Sequence, residues 1–294
     1  MTGEALVDGV DRIMIGVRNL AEAEHIYTRM LGRSPSWRYR DGGTERVIYR
    51  LGNMSLDLVS SSETGTPWGS LLSARLDKTG EGVIGVVFST TDAAGTVEGL
   101  KARGLPAVLF PDAEVVGPAG EGRRWKPLMV PDELSRHLFL MAHEHLVPAE
   151  PLPLAELRPG LKEEEAISAL DHVVVMTSDA DACKRLFGEQ FGIRLALDHS
   201  KPEWGVRQLF FRLGGVTLEI VQPLDPDKAP ETDHFWGLAW KAGNVTTVRD
   251  RLAREGADVS EVRKGRKKGT EVATIRKPTC GVPVLLVGPV PESV

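Results

Sequence analysis

Residues 168–222 decide the fold of this chain. The stretch opens with LDHVVV (residues 170–175) and closes with FRLGGVTLEIV (residues 211–221), and both segments have the apolar, β-branched character of β-strands. Side chains alternate between the two faces of a strand, so each segment buries an apolar face and carries its polar residue on the other. That residue is His172 on the first strand and Glu219 on the last. These two are the best candidates for chemistry in the sequence.

The segment between these strands predicts a helix followed by two further strands. Ser178 with Asp181 fits a capping box at the helix start, and Gly192 fits its end. Four apolar residues at i, i+3, i+4 and i+8 form one helix face: Cys183, Leu186, Phe187 and Phe191. Cys183 is therefore predicted to be a core residue rather than a nucleophile. The strands after the helix are predicted at about 193–199, 207–213 and 216–222.

The same pattern recurs along the chain. VDRIMI (residues 10–15) resembles the opening segment, and YRLGNMSLDLV (residues 49–59) matches the closing one at nearly the same offset. Weaker copies of the first strand lie at 83–88 and 236–240. The sequence therefore predicts an α+β protein made of four units, each a strand, a helix and three strands. The predicted units span about 8–60, 80–145, 167–223 and 233–290.

A proline-rich, charged segment separates the two halves. Residues 147–153 read VPAEPLP, and three consecutive glutamates follow at 163–165. Proline density and charge of this kind are typical of a linker. We predict an N-terminal domain at 1–147, a linker at 148–166 and a C-terminal domain at 167–294.

The composition of the chain argues against several classes of function. The 294 residues carry a net charge of −5, whereas a general nucleic-acid-binding protein usually has a basic excess. Residues 1–8 are unlike a signal peptide, and no apolar run reaches the roughly 18 residues of a transmembrane helix. The two cysteines have no CxxC spacing. We expect a cytoplasmic protein without a nucleic-acid or membrane partner.

Glu219 lies in an otherwise apolar strand, which is a costly place for a carboxylate. Burial of the charge requires a cation, hydrogen bonds or water. A metal ion shared with His172 would satisfy both side chains. Without an ion, the two residues can act as an acid–base pair or form a structural hydrogen bond.

Aromatic residues in the second half suggest a ligand pocket. Trp204, Trp236 and Trp240 all lie in the second half, with Arg207 close to Trp204, and an apolar wall with a few polar anchors is typical of a small-molecule site. We predict Trp204, Arg207 and Trp236 as substrate-binding residues. The alternative is that Trp236 and Trp240, four residues apart on one strand face, fill the core.

Three segments of the second half resemble the vicinal oxygen chelate superfamily, the broad group of glyoxalase, bleomycin-resistance and extradiol-dioxygenase proteins. They are LDHVVV at 170–175, PEWG at 202–205 and LEIV at 218–221. Through the four units, the resemblance covers nearly the whole chain. It implies two tandem domains, each a pair of βαβββ modules, and a small-molecule substrate. Because modules of this superfamily pair across subunits, it also implies a homodimer as a candidate assembly.

The resemblance places metal ligands on the first and last strands of each module. The first-strand positions are Arg12, Gly85, His172 and Gly237, and the last-strand positions are Asp57, Phe139, Glu219 and Leu285. The third module alone keeps both ligand types. In the first module, Arg12 and Asp57 are expected to form an ion pair in place of a metal.

The resemblance implies a divalent metal ion, Fe, Zn, Mn or Ni, with His172 and Glu219 as ligands. His234, three residues before the expected position, is the predicted third ligand. Four other histidines remain alternatives: His137, His143, His145 and His199.

The implied function is that of a metal-dependent, glyoxalase-like enzyme acting on a small oxygenated metabolite. Its chemistry would be that of a lyase or isomerase, or that of a ring-cleaving dioxygenase. Glu219 would be a ligand or, once released from the metal, the catalytic general base. The alternative is a non-catalytic small-molecule or drug-binding protein that uses the same cleft without a metal.

Overall fold

A computed structural model describes residues 4–148 and 150–290 of the chain. The described residues form a mixed α+β fold with two nine-stranded sheets. The strands of the first sheet are β1 Gly9–Gly16, β2 Trp37–Asp41, β3 Thr44–Arg50, β4 Ser55–Ser61, β5 Gly82–Ser89, β6 Val108–Leu109, β7 Ala113–Val116, β8 Gly122–Met129 and β9 Phe139–Val147. The strands of the second sheet are β10 Ile167–Met176, β11 Arg194–Lys201, β12 Val206–Leu213, β13 Val216–Pro223, β14 His234–Ala242, β15 Asp258–Val259, β16 Arg263–Lys264, β17 Thr270–Lys277 and β18 Val284–Pro289.

The two sheets have the same strand order. The first runs β2-β3-β4-β1-β5-β9-β8-β6, with β7 paired to β8. The second runs β11-β12-β13-β10-β14-β18-β17-β15, with β16 paired to β17. Each strand of the second sheet thus corresponds to the strand nine places earlier. The predicted duplication of a four-module α+β fold is confirmed.

The described residues contain five α-helices. They are α1 Leu20–Leu31, α2 Pro67–Thr79, α3 Ala93–Ala102, α4 Ala180–Cys183 and α5 Val245–Arg254. Asn19 and Asn244 cap α1 and α5 through their side-chain oxygens. At α4 the predicted cap was wrong, because Asp179 rather than Ser178 accepts the bond from the Ala182 amide. The rest of that helix, Lys184–Gln190, is a π-helix.

Packing within the chain defines two compact units that do not follow the sequence halves. The first unit comprises Met1–Ile13, Ile84–Pro151 and His172–Trp236. The second unit comprises Met14–Val83, Leu152–Asp171 and Gly237–Val294. Strand pairing, in contrast, keeps each half in its own sheet. The boundaries predicted at 1–147, 148–166 and 167–294 therefore remain a prediction.

The predicted linker has defined contacts in the second unit. Arg33, which is buried, donates hydrogen bonds to the carbonyls of Ala155 and Ile167 at 3.0 and 2.8 Å and pairs with Glu163. The Ala155 amide in turn donates to the Arg50 carbonyl at 2.8 Å. Much of this segment is thus fixed to the second unit despite its linker composition.

A second buried arginine joins helix α5 to helix α1. Arg251 is 2% exposed, and its guanidinium donates to the carbonyls of Arg29, Met30 and Glu165 at 2.6, 3.0 and 2.7 Å. Two of these carbonyls belong to the last turn of α1, where the helix dipole favours a cation. Glu255, at 3.3 Å, balances the charge. Arg251 therefore stabilises the packing of the second unit.

Replacement of this guanidinium should destabilise the protein. In Arg251→Met, three backbone carbonyls lose a charged donor, so we expect the thermal midpoint to fall by about 5 °C or more. Arg254→Met is the matched control, because Arg254 lies on the same helix but is exposed. Its midpoint should change by no more than about 2 °C. Equal midpoints for the two variants in scanning calorimetry would contradict the role given to Arg251.

Candidate functional site

The third module brings His172 and Glu219 together. Strands β10 and β13 pair in parallel with His172 opposite Thr217 and Val174 opposite Glu219. The two side chains therefore project from one face, one step apart along neighbouring strands. Nε2 of His172 lies 3.2 Å from Oε2 of Glu219, and the side chains are only 20% and 12% exposed.

Two more side chains extend this pair into a network. Gln208 on β12 is buried and donates from Nε2 to Oε1 of Glu219 at 2.5 Å. His199 on β11 lies 3.3 Å from Oε1 of Gln208 through its Nε2, and its ring meets the ring of Phe210 edge-on. His199, Gln208, Glu219 and His172 thus form a four-residue network that crosses the neighbouring strands β11, β12, β13 and β10.

Gln208 is a site residue that the sequence analysis missed, although a local signal exists. Gly214 and Gly215 form the tight turn between β12 and β13. Counting back from this turn pairs Phe210 with Glu219. Gln208 is two residues further along the strand and therefore lies on the same face. A polar residue at that position is a predictable neighbour of the glutamate.

The geometry of the pair fits two neighbouring ligands of one divalent ion. Donor atoms bound at about 2.1 Å in tetrahedral or octahedral geometry lie about 3.0–3.4 Å apart, and His172 and Glu219 meet this condition. Gln208 holds the second carboxylate oxygen, which is how outer residues orient metal ligands. Across residues 4–148 and 150–290, however, no group of three or more His, Cys, Asp or Glu side chains could hold an ion. The chain therefore supplies two adjacent donors at this place.

Among the described residues, His234 does not join His172 and Glu219 in a group of three possible metal ligands. Its side chain is exposed, and Nδ1 lies 3.1 Å from the Thr232 carbonyl oxygen. The structure thus does not group His234 with His172 and Glu219. His199, another candidate, contacts the pair through Gln208 rather than directly.

Backbone packing explains why modules two and four carry glycine at the first-strand ligand position. A Cβ atom on Gly85 would lie 2.5 Å from the Phe139 ring, and one on Gly237 would lie 2.7 Å from the Pro283 carbonyl oxygen. Both separations are far below van der Waals contact. A histidine at either position would require the neighbouring strand to move.

The corresponding position of the first module holds a different arrangement. The Asp57 carboxylate is fully buried and accepts from Nη1 of Arg46 at 2.6 Å. Arg12 donates from Nε to Asp11 at 2.8 Å, and its guanidinium lies 5.7 Å from the centre of the Trp125 ring. The expected ion pair between Arg12 and Asp57 stays a prediction.

The histidines near the end of the first half serve other carboxylates. His145 and His143 approach Asp11 at 2.9 and 3.7 Å. Burial lowers the pKa of His143 to about 4, so this imidazole is neutral at neutral pH. Burial alone would raise the pKa of Asp11, but the neighbouring arginine and histidines hold it well below its usual value. His137 is exposed and pairs with Asp132 at 2.7 Å.

The structure places Arg207 on the face opposite to the network. Arg207 is next to Gln208 on β12, so their side chains point to opposite sides of the sheet. Its guanidinium donates to Asp198 at 2.9 and 3.0 Å and to Asp181 at 2.9 Å. These bonds raise the pKa of Arg207, and they tie β12 to β11 and α4.

The tryptophans differ in their surroundings. Trp240 is fully buried, as the core alternative predicts. Trp236 lies on the same face of β14 as Trp240, opposite to the face of Gly237, but its side chain is about half exposed. Trp204 ends a short 3₁₀ turn, where Lys201 lies 5.6 Å from the centre of its ring.

Apolar side chains surround the network on its own face. Strand alternation and register place four of them beside it: Val174, Met176, Phe210 and Val221. Leu197, opposite Phe210 on β11, is 47% exposed. A partly open apolar surface around a few hydrogen-bonded polar groups is typical of small-molecule sites.

Comparison with solved structures identifies the fold. The chain has a TM-score of 0.68 and 15% identity to a mutant of 4-hydroxymandelate synthase from Streptomyces coelicolor, over 96% of this chain and 93% of that one. For the Mn(II)-bound glyoxalase from Novosphingobium aromaticivorans the values are 0.62 and 14%, over 97% and 83%. A fusion of a xylose isomerase-like TIM barrel with a 4-hydroxyphenylpyruvate dioxygenase gives 0.63 and 12%, over 100% of this chain and 51% of that one. At these identities the likeness shows the fold alone.

Comparison of the sequence points to the same group. A search of curated proteins gives no match. Within the chain no described helix has the length and apolarity to span a bilayer. Residues 171–274 match the family described as Glyoxalase/Bleomycin resistance protein/Dioxygenase superfamily. All four residues of the network lie within this range. The resemblance seen in the sequence is thereby confirmed over residues 171–274.

Proposed function

We propose that this protein is a divalent-metal-dependent enzyme acting on a small oxygenated metabolite at the face that carries His172 and Glu219. The observation that carries the proposal is the 3.2 Å approach of His172 Nε2 to Glu219 Oε2, with Oε1 held by Gln208. Imidazole and carboxylate together suit Fe, Zn, Mn and Ni, the ions expected from the sequence. A bound ion would supply Lewis-acid stabilisation of negative charge on adjacent substrate oxygens.

The residues of the chain have distinct roles in this proposal. His172 offers Nε2 as the nitrogen donor. Glu219 offers Oε2 either as a ligand or, when free, as the base that takes a proton from a carbon beside the substrate oxygens. Gln208 keeps the carboxylate from rotating, because it donates to Oε1 from a buried position. The apolar side chains around the network exclude water from the reacting groups.

Lyase or isomerase chemistry fits the donor set better than ring cleavage. Non-haem iron oxygenases use two histidines and one carboxylate on one ion. The described residues bring one histidine and one carboxylate into direct contact here. A proton transfer needs one correctly placed carboxylate, which Glu219 provides.

Loss of either donor should strongly weaken metal binding. Each of Fe²⁺, Zn²⁺, Mn²⁺ and Ni²⁺ is titrated into metal-free protein by isothermal calorimetry. His172→Ala and Glu219→Ala each remove one of two protein donors. In both variants the affinity for the best-bound ion should fall about 100-fold or more. His137→Ala is the matched control, because that histidine is exposed and pairs with Asp132.

A fourth variant tests the predicted third ligand. If His234→Ala weakens binding of the ion as strongly as His172→Ala does, His234 at the start of β14 is the third ligand. If it binds the ion as the wild type does, His172 and Glu219 suffice. Lack of saturable binding of all four ions by the wild type would overturn the metal-dependent function.

Gln208 should contribute without touching the ion. In Gln208→Leu the carboxylate loses its outer hydrogen bond, so the ion should bind about 10- to 100-fold more weakly. Gln222→Leu is the control, since Gln222 bonds the Ala180 amide outside the network. Equal metal affinity of the two variants in the same titration would remove Gln208 from the site.

The second candidate function is small-molecule binding without catalysis. The two-donor set and the exposed apolar surface at Leu197 favour it. Such a protein would bind apolar aromatic compounds equally well in the presence and absence of a chelator. A chelator that abolishes ligand binding would decide for the metal-dependent function.

A further inference from the structure

The first of the two compact units contains a cavity of about 440 Å³, and no residue of the four-residue network lines it. Three arginines from separate segments meet in its wall: Arg103 directly after α3, Arg136 in the loop before β9, and Arg185 on the π-helix. Cavities of about 300–1,000 Å³ accommodate small organic ligands. The size of this cavity therefore suits an organic molecule rather than a single inorganic ion.

The convergence of three guanidinium groups is not a consequence of a basic surface. The chain as a whole has a net charge of −5. Like charges that line one cavity repel one another, and of the three arginines Arg136 alone is paired with a carboxylate in the described residues, that of Asp233. Among the described residues that line the cavity, Glu189 is the one that carries a carboxylate.

Two of the three arginines are fixed in place by structural bonds. Arg136 donates to both carboxylate oxygens of Asp233, at 2.5 and 3.0 Å, and Asp233 is buried. Arg103 donates from Nη1 to the Gln190 carbonyl at 3.2 Å and from Nη2 to the Glu4 carbonyl at 2.8 Å. The cationic groups are thus positioned before any ligand arrives, which lowers the entropic cost of binding.

These bonds leave donors in the cavity wall. A guanidinium has five N–H groups. Nη1 of Arg136 and Nε of Arg103 form no hydrogen bond to a described residue. Arg185 is exposed and makes no bond or ion pair within residues 4–148 and 150–290. Each of the three arginines can therefore donate to a ligand without losing a structural contact.

The backbone around the cavity is unusual in two places. Lys184–Gln190, which carries Arg185, is a π-helix, a form found often at functional sites. Arg136 and His137 have φ values of 61° and 65°. This left-handed conformation is unfavourable for residues other than glycine, and such conformations cluster at ligand sites. Both features shape the wall that presents the arginines.

We propose that this cavity binds the phosphate group of a small organic phosphate monoester. A phosphate dianion offers three terminal oxygens to the three guanidinium groups, whereas a carboxylate offers two. Leu134 and Leu186, also in the lining, would contact the organic part of the ligand. Glu189 would accept a hydrogen bond from a hydroxyl group of that part. The site is separate from the proposed metal site.

Calorimetric titration of the full-length protein tests this proposal with glycerol 3-phosphate, phenyl phosphate, inorganic phosphate and succinate as probes. We expect saturable binding of at least one of the two esters, tighter than that of phosphate or succinate. Arg185→Gln should lower the affinity for the ester about tenfold or more, because the phosphate loses one charged hydrogen-bond donor. Arg194→Gln is the matched control: this exposed arginine on β11 does not line the cavity, and its loss should change affinity less than about twofold.

Three results would overturn the proposal: no saturable binding of either ester, succinate binding as tight as that of the esters, or equal weakening in Arg185→Gln and Arg194→Gln. Glu219→Ala serves to separate this site from the metal site. It should bind the ester as the wild type does, so a failed metal-binding experiment leaves this test unaffected. Ester affinity that falls in Glu219→Ala but not in Arg185→Gln would place the ester at the His172 site instead.

Discussion

The candidate site depends on the pairing of one carboxylate in the middle of an apolar strand. Glu219 accepts from Gln208 on one oxygen and meets His172 at the other. Both partners come from strands that flank β13 directly. A shift of the register by one residue would move Glu219 to the other face of the sheet and separate all three. Sheet pairing therefore positions the reactive atoms.

The other modules carry different residues at the positions that correspond to His172 and Glu219. At the equivalent place in module one, Asp57 is buried and paired with Arg46. In modules two and four, a neighbouring side chain or backbone fills the space beside Gly85 and Gly237. Repetition of a fold thus preserves the strand order without preserving the chemistry. This explains how the fold is shared with proteins of several activities at low sequence identity.

Local signals in the sequence predicted the features that depend on local physics. Apolar periodicity located the strands of the third module to within three residues. The shared face of His172 and Glu219 followed from strand alternation. Alternation also separates Arg207 from that face, because the residue is adjacent to Gln208. The same rule of alternation could therefore have excluded Arg207 from the face of His172 and Glu219 at the sequence level.

Features that depend on distant parts of the chain were not predictable in this way. His145 meets Asp11 across 134 positions of sequence, and no nearby residue indicates that pairing. The π-helix continues an apolar pattern that also fits an α-helix. The three arginines of the cavity come from segments that only the tertiary fold brings together. Long-range packing decides all three cases.

The central claim is that His172 supplies one nitrogen ligand to a divalent ion held with Glu219. Pulsed electron paramagnetic resonance of the Mn²⁺-loaded protein measures this most directly, because it detects nitrogen bound to the ion. The account predicts coupling to one imidazole nitrogen in the wild type, and its loss in His172→Ala. A spectrum without nitrogen coupling, or coupling that persists in His172→Ala, would contradict it.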